Sequence, residues 1–158
     1  GWTVYDAAGI RILVMNLLGT VFMEPLASPF ETADAILEKC RGGYDIALVD
    51  FHAEATSEKL ALARYLTGRV SAVWGTHTHV ATADCRILGG HTGFITDLGM
   101  VGSADGILGV KSEAVLHKFL VKTPVRFETE HGNEGATGAL FTVDSGSGKC
   151  ISAESVSF

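Results

Sequence analysis

Apolar and polar positions along the chain keep two different rhythms. Ile46-Ala47-Leu48-Val49-Asp50-Phe51 and Val70-Ser71-Ala72-Val73-Trp74 are short, nearly continuous apolar runs. Such runs read as parallel strands covered on both faces. Between them, from Thr56 or Ser57 to about Leu66, the spacing is helical: Leu62 and Leu66 share a face, and Gly68 stops the helix. An earlier helix starts with a capping signature. Ser28 can cap, Pro29 fits the first helical position, and Glu31 completes a capping box. Ala33, Ile36 and Leu37 supply its apolar stripe, and Gly42-Gly43 ends it. The strand–helix–strand order predicts a parallel pair joined by a right-handed crossover.

The flanks read differently. Gly1-Trp2-Thr3-Val4-Tyr5 is strand-like, and the turn Asp6-Ala7-Ala8-Gly9 leads into Ile10-Arg11-Ile12-Leu13-Val14-Met15. The chain therefore opens inside a hairpin, as a portion of a longer polypeptide would. Arg86-Ile87-Leu88 and Gly93-Phe94-Ile95-Thr96 flank Gly89-Gly90-His91-Thr92 and predict a short hairpin. Ser112 begins a helix through Leu120, with Val115, Leu116 and Phe119 as its apolar positions. Val125-Arg126-Phe127-Glu128-Thr129-Glu130 alternates as a half-exposed strand does. Ala139-Leu140-Phe141-Thr142-Val143 and Cys150-Ile151-Ser152-Ala153, joined by a glycine-rich turn, predict an antiparallel hairpin. The expected class is α/β, strands alternating with helices before a C-terminal antiparallel hairpin.

Composition narrows the class. The 158 residues suit one domain with a real core, and 47% hydrophobic content excludes a disordered chain. No apolar run reaches the length of a membrane span, and no basic-then-apolar signal segment opens the chain. A net charge of −6 argues against an extended nucleic-acid groove, which needs clustered Lys and Arg. It leaves room for a small phosphorylated ligand held by metal. Cys40, Cys85 and Cys150 are far apart and form no Cys-x-x-Cys pair. They read as buried small residues of a reduced, cytoplasmic protein.

The strand ends carry the candidate chemistry. His77 and His79 follow the second apolar run in Gly75-Thr76-His77-Thr78-His79-Val80, and His52 follows the first. Carboxyl ends of parallel strands converge on one crevice, so three imidazoles can meet there. Imidazole suits zinc, iron, nickel or copper. Ordinary hydrogen-bonded loop histidines are the plainer alternative. Asp50 and Glu54 read as ligands or as groups that hold His52 in one tautomer. The alternative for Glu54, and the preferred reading for Glu58, is support of the following helix N-terminus. Lys59 reads as a solvated helix lysine, with contact to an anionic ligand as the alternative. Asp97 points to the same crevice or stabilises its own turn, and Gly99 and Gly102 offer amides to a phosphate. His91, His117 and His131 read as surface residues. No Gly-x-Ser-x-Gly elbow is present, and Val80, Ala81 and Thr82 after His79 exclude a His-x-His-x-Asp-His site.

Three stretches together, Val49 to Lys59, Gly75 to Asp84 and Ile95 to Met100, resemble the YmdB-like bacterial metallophosphoesterases. These are calcineurin-type phosphoesterases associated with hydrolysis of 2′,3′-cyclic nucleotides. The resemblance extends through Gly106-Ile107-Leu108-Gly109 and Pro124-Val125-Arg126-Phe127. It implies a sandwich of two sheets, of which residues 1–158 form the carboxyl-terminal portion of a larger single domain. It also implies two divalent ions, iron, manganese or zinc, bridged by carboxylate and solvent. His52 matches the family's isolated histidine, and His77 and His79 match its final motif. The family pattern places the equivalents of His52 and His77 on one ion and that of His79 on the other; Asp50, Glu54 and Asp97 are candidates to stand behind these ligands.

The family's earlier motifs, an Asp, a bridging acidic residue and an Asn followed by the catalytic His, have no match. Asn133 precedes Glu134, and Asn16 precedes Leu17. The implied function is a metal-dependent phosphodiesterase or phosphatase acting on a small phosphoester such as a 2′,3′-cyclic nucleotide. This chain would supply the histidine half of the dinuclear site, hold no catalytic residue of its own and be inactive alone. The alternatives are a catalytically incomplete piece that binds one metal or anion or only self-associates, and a related capsule-synthesis-type phosphoesterase. Expected partners are the phosphorylated ligand, no membrane, and either a complementing N-terminal portion or a second copy, because half a sandwich exposes apolar sheet.

Overall fold

Two sheets and three helices make up the computed structural model, which describes residues 1–158. The larger sheet contains β1 (Trp2–Ala7), β2 (Ile10–Leu18), β3 (Ile46–His52), β4 (Ala72–Thr76), β5 (Arg86–Leu88) and β6 (Thr92–Ile95). Its order is β1-β2-β3-β4-β6-β5. The four central strands are parallel, and the edge strands β1 and β5 are antiparallel to their neighbours. Helices α1 (Pro29–Lys39) and α2 (Thr56–Leu66) connect β2 to β3 and β3 to β4. The smaller sheet joins β7 (Val101–Ser103), β8 (Glu134–Val143) and β9 (Cys150–Ser157), with α3 (Ser112–Val121) between β7 and β8. No helix is long and apolar enough to cross a membrane.

Strand periodicity builds the core. Leu13, Met15 and Leu17 of β2 sit beside Ala47, Val49 and Phe51 of β3, and Val49 sits beside Val73 of β4. These alternate residues are buried against Ala33, Ile36 and Leu37 of α1 and Leu62, Ala63 and Leu66 of α2. Each large apolar side chain buried this way contributes about 1.5–3 kcal/mol. The stripes of α1 and α2 are those expected from sequence, and Ser28 caps α1 by accepting from the Glu31 amide.

The second face is covered unevenly. Val14, Leu48, Ala72 and Gly93 form one row across it. At Gly93 the smaller sheet lies directly on β6: a Cβ there would stand 2.5 Å from Cδ1 of Phe141 and 2.8 Å from Sγ of Cys150. Gly93→Ala is therefore expected to lower stability by about 1–3 kcal/mol. Urea unfolding checks this, and an unchanged midpoint would contradict the packing. Over β2 and β3, Val14, Leu48, Asp50 and His52 of this face remain half-buried. Full cover on both faces thus holds for β6 and not for β3, whose polar Asp50 and His52 belong to an open crevice.

An ion pair ties the starts of two strands. The Asp45 carboxylate accepts from the Arg11 amide at 2.8 Å and from its guanidinium at 2.6 and 3.1 Å. These side-chain and backbone hydrogen bonds lower the Asp45 pKa to about 2. A depressed folded value stabilises the protein above the ordinary carboxylate value of 3.8, and that stability is lost as pH falls through about 2. Asp45→Asn should be less stable than the parent at pH 6, and the gap should vanish below about pH 2. A gap that persists in acid would contradict this.

Two local expectations are corrected, and one strand has no sequence signal. Val125 to Glu130 is no strand; only Thr129 bridges Val110. This segment meets the turn around Ile107–Val110 rather than a strand edge, so no ladder can form. In α3 only Val115 is buried, whereas Leu116 and Phe119 are 51% and 74% exposed. β7 was not legible, being three residues long with Gly102 at its centre.

Candidate metal centre

Register places the polar residues of β2, β3 and β4 together at their carboxyl ends. Asn16 pairs with Asp50, and His52 pairs with Thr76. Asp50 and His52 are two residues apart, so both project from the same face. A connected path of polar contacts follows. Asn16 Nδ2 donates to Asp50 Oδ2 at 2.8 Å, and Thr76 Oγ1 donates to Asp50 Oδ1 at 3.1 Å. His52 Nδ1 lies 3.1 Å from Thr76 Oγ1, and His52 Nε2 lies 3.1 Å from His77 Nδ1. The far nitrogen of His77, Nε2, lies 3.0 Å from Glu54 Oε2. The two rings meet edge to face, 83° apart.

Hydrogen bonds along this path orient both imidazoles. An ionised carboxylate only accepts, so the Thr76 hydroxyl spends its proton on Asp50. The Thr76 oxygen then accepts from His52 Nδ1–H, which turns His52 Nε2 toward His77. Glu54 likewise accepts from Nε2–H of His77, whose Nδ1 faces His52. This tautomer assignment follows from the hydrogen-bond network. The inner nitrogens, His52 Nε2 and His77 Nδ1, then stand 3.1 Å apart, where they can share a proton or a metal ion. Two nitrogens at this spacing can share one ion at bonds of about 2.0–2.1 Å, roughly at a right angle. Two imidazole donors at this spacing suit a divalent transition metal but fall short of the three or four protein ligands of a zinc site.

The histidine loop has an unusual backbone. His77 has φ 110° and His79 has φ 64°, both in the region that favours glycine. Between them the Thr78 amide donates to Asp97 Oδ2 at 3.1 Å. The same oxygen accepts from Lys59 Nζ at 2.7 Å, and Oδ1 accepts from the Gly99 amide at 2.9 Å. Burial disfavours the charge on Asp97, but the bonds from Lys59, Gly99 and Thr78 outweigh it and hold the carboxyl below its ordinary range. Lys59 is only 1% exposed, which corrects its reading as a solvated helix residue. The period-based reading placed it outside because it is charged, yet α2 turns it under the site. The Gly99 amide is already committed to Asp97 and is not offered to a phosphate.

Of the residues singled out from sequence, His52 and His77 adjoin. His79 is exposed on the same loop. Glu54 binds the nitrogen of His77 opposite to the one facing His52, so these three groups do not converge on one point, and no three of the histidine, cysteine and acidic side chains do. Asp50 reaches His52 through Thr76, and Asp97 lies under the loop. Glu58 is buried, where it accepts from the Thr20 and Val21 amides. Asn16, Thr76 and Lys59 were missed as participants. For Thr76 a signal existed: a hydroxyl at a strand end, between Gly75 and His77. Cys85 is half-buried rather than buried, and burial pushes its thiol pKa up, away from a reactive thiolate.

The family profile described as "YmdB-like protein" matches residues 1–156. The chain is 44% identical over 156 residues to a 2′,3′-cyclic-nucleotide 2′-phosphodiesterase of Bacillus subtilis (strain 168), across 99% of this chain and 59% of that protein. It is 35% identical to a putative phosphatase/phosphodiesterase of Mycoplasma pneumoniae, across 99% of this chain and 56% of that one. Among solved structures, a hypothetical protein from Thermus thermophilus superposes with a TM-score of 0.94 at 37% identity, covering 100% of this chain and 61% of its own. A novel phosphatase from Mycoplasma pneumoniae superposes at 0.91 with 34% identity, covering 100% and 57%. The chain thus spans less than two thirds of the length of these relatives. Its α/β architecture with a C-terminal antiparallel sheet is a partial metallophosphoesterase sandwich.

Proposed function

The chain belongs to the YmdB-like family, and from that premise we propose that it supplies the histidine half of a metal-dependent phosphodiesterase or phosphatase site. The substrate class is a small phosphoester such as a 2′,3′-cyclic nucleotide. That activity is the one named for the Bacillus subtilis relative. The observation that carries the reading is the approach of His52 Nε2 and His77 Nδ1 to 3.1 Å at the ends of neighbouring parallel strands. His52 and His77 would hold one divalent ion, and His79 would reach a second. When bound, such ions (iron, manganese or zinc) neutralise phosphate charge and make a bound water acidic.

Each supporting side chain has a task. Asn16 and Asp50 orient the Thr76 hydroxyl, and that hydroxyl holds the His52 ring with Nε2 outward. Glu54 holds the His77 ring with Nδ1 outward. Asp97 fixes the loop that carries His77 and His79. Cleavage also asks for a proton donor to the leaving oxygen. We assign that donor to the part of the relatives that this chain does not span, so the chain alone should bind metal without turnover. The test is a longer protein that contains this chain, loaded with manganese and offered 2′,3′-cyclic AMP. Hydrolysis is expected; an intact substrate would overturn the reading.

A second reading is a non-catalytic piece that associates with itself. It draws on the exposed Phe119, Leu120 and Val121 of α3 together with the exposed Phe127 and Val101. Such apolar surface favours association. Sedimentation would show a dimer or larger species, and a monomer at high concentration would dismiss it.

A further inference from the structure

We propose that Lys59 and Asp97 are a positioning pair whose task is to hold the His77-Thr78-His79 loop in its ion-binding shape; this rests on the reading of those histidines as ligands. The loop needs an anchor, because two non-glycine residues in the left-handed region, at φ 110° and 64°, are not the backbone's own preference. Thr78 stands between them, and its amide is caught by Asp97 Oδ2. Asp97 is itself fixed on three sides. Lys59 Nζ donates to Oδ2, the Gly99 amide donates to Oδ1, and the Asp97 amide donates to the Thr82 hydroxyl at 3.0 Å. Lys59 arrives from α2 beneath β4, so close that a Cβ at Gly75 would stand 2.8 Å from its Cδ. The pair thereby links helix, strand and loop at the point where the loop leaves the sheet.

Burial argues for this role over a purely structural one. Both side chains are 1% exposed. A buried ion pair is poor value for stability, since apolar residues of similar volume often serve as well or better. An apolar pair could fill this space but could not accept the Thr78 amide. The carboxylate is needed for the loop, and the ammonium is needed to keep that carboxylate charged without water.

The double variant Lys59→Met/Asp97→Ala removes both charges and leaves no orphan ion in the core. Two measurements on the 158-residue chain read it: amide hydrogen exchange of Thr78 by NMR, and titration with manganese followed by the EPR signal of the free ion. We expect Thr78 exchange to accelerate at least about 10-fold and manganese Kd to rise about 10- to 100-fold, the usual cost of losing a group that orients a ligand. Asp34→Ala, which breaks an exposed pair with Arg69, should change neither. A purely structural pair would shift the unfolding midpoint and leave both readouts of the folded protein alone; that result overturns the proposal. If the double variant does not fold, the parent chain decides. Thr78 protection of at least about 100-fold over a free peptide supports the anchor, and peptide-like exchange overturns it. A parent chain that binds no manganese, with Thr78 exchange still set by the pair, would remove the ligand reading and leave the hold on the loop standing.

Discussion

Replacing His77 by glycine is expected to weaken manganese or zinc binding by at least about 100-fold, more than the loss of an orienting group, because a donor atom itself is removed. The same change should barely alter stability. His77 is a third exposed, and its φ of 110° is one that glycine adopts freely. Relief of strain offsets the added freedom of the unfolded chain, so the net change should stay within about 1 kcal/mol. Calorimetric metal titration beside urea unfolding would reveal the separation. Metal affinity that survives in His77→Gly would show that the imidazole is an ordinary loop residue.

Gly75→Ala should do the opposite and destroy stability. Gly75 is buried in β4, and an added Cβ would overlap the carbonyl oxygen of Thr96, a backbone atom of the adjoining chain segment, as well as Lys59. A flexible side chain can swing aside, but a backbone carbonyl inside a packed sheet cannot. Overpacking of this kind costs about 3 kcal/mol or more. It would also drive β4 away from the Lys59–Asp97 pair. A variant that unfolds in urea within about 1 kcal/mol of the parent would mean that β4 and the Thr96 segment do not lie as described.

The residues differ in how openly they announced these roles. β3, β4, α1 and α2 were legible because their burial is one-sided or complete, and each therefore keeps a clean period in sequence. The approach of His52 and His77 was legible too, since both end neighbouring parallel strands. Other features depend on distant partners and leave no local trace. Lys59 lies at a helix position that period and charge assign to solvent, and only Asp97, 38 residues away, makes its burial tolerable. The alternation of Val125 to Glu130 is genuine, but a strand needs an edge to pair with, and a turn occupies that place. Of the apolar residues of α3, Val115 faces inward, but Leu116 and Phe119 face outward. Glu54 could be read as helix support or as a partner of His52; its contact is instead with His77, across a loop whose path no period foretells.

Zinc soaked into crystals of this chain and located by its anomalous scattering tests the central claim most directly. One peak is expected, about 2.0–2.1 Å from both His52 Nε2 and His77 Nδ1, with Thr76 and Glu54 still bonded to the outer nitrogens. Zinc found only elsewhere, or bound through the nitrogens assigned here to Thr76 and Glu54, would contradict the account.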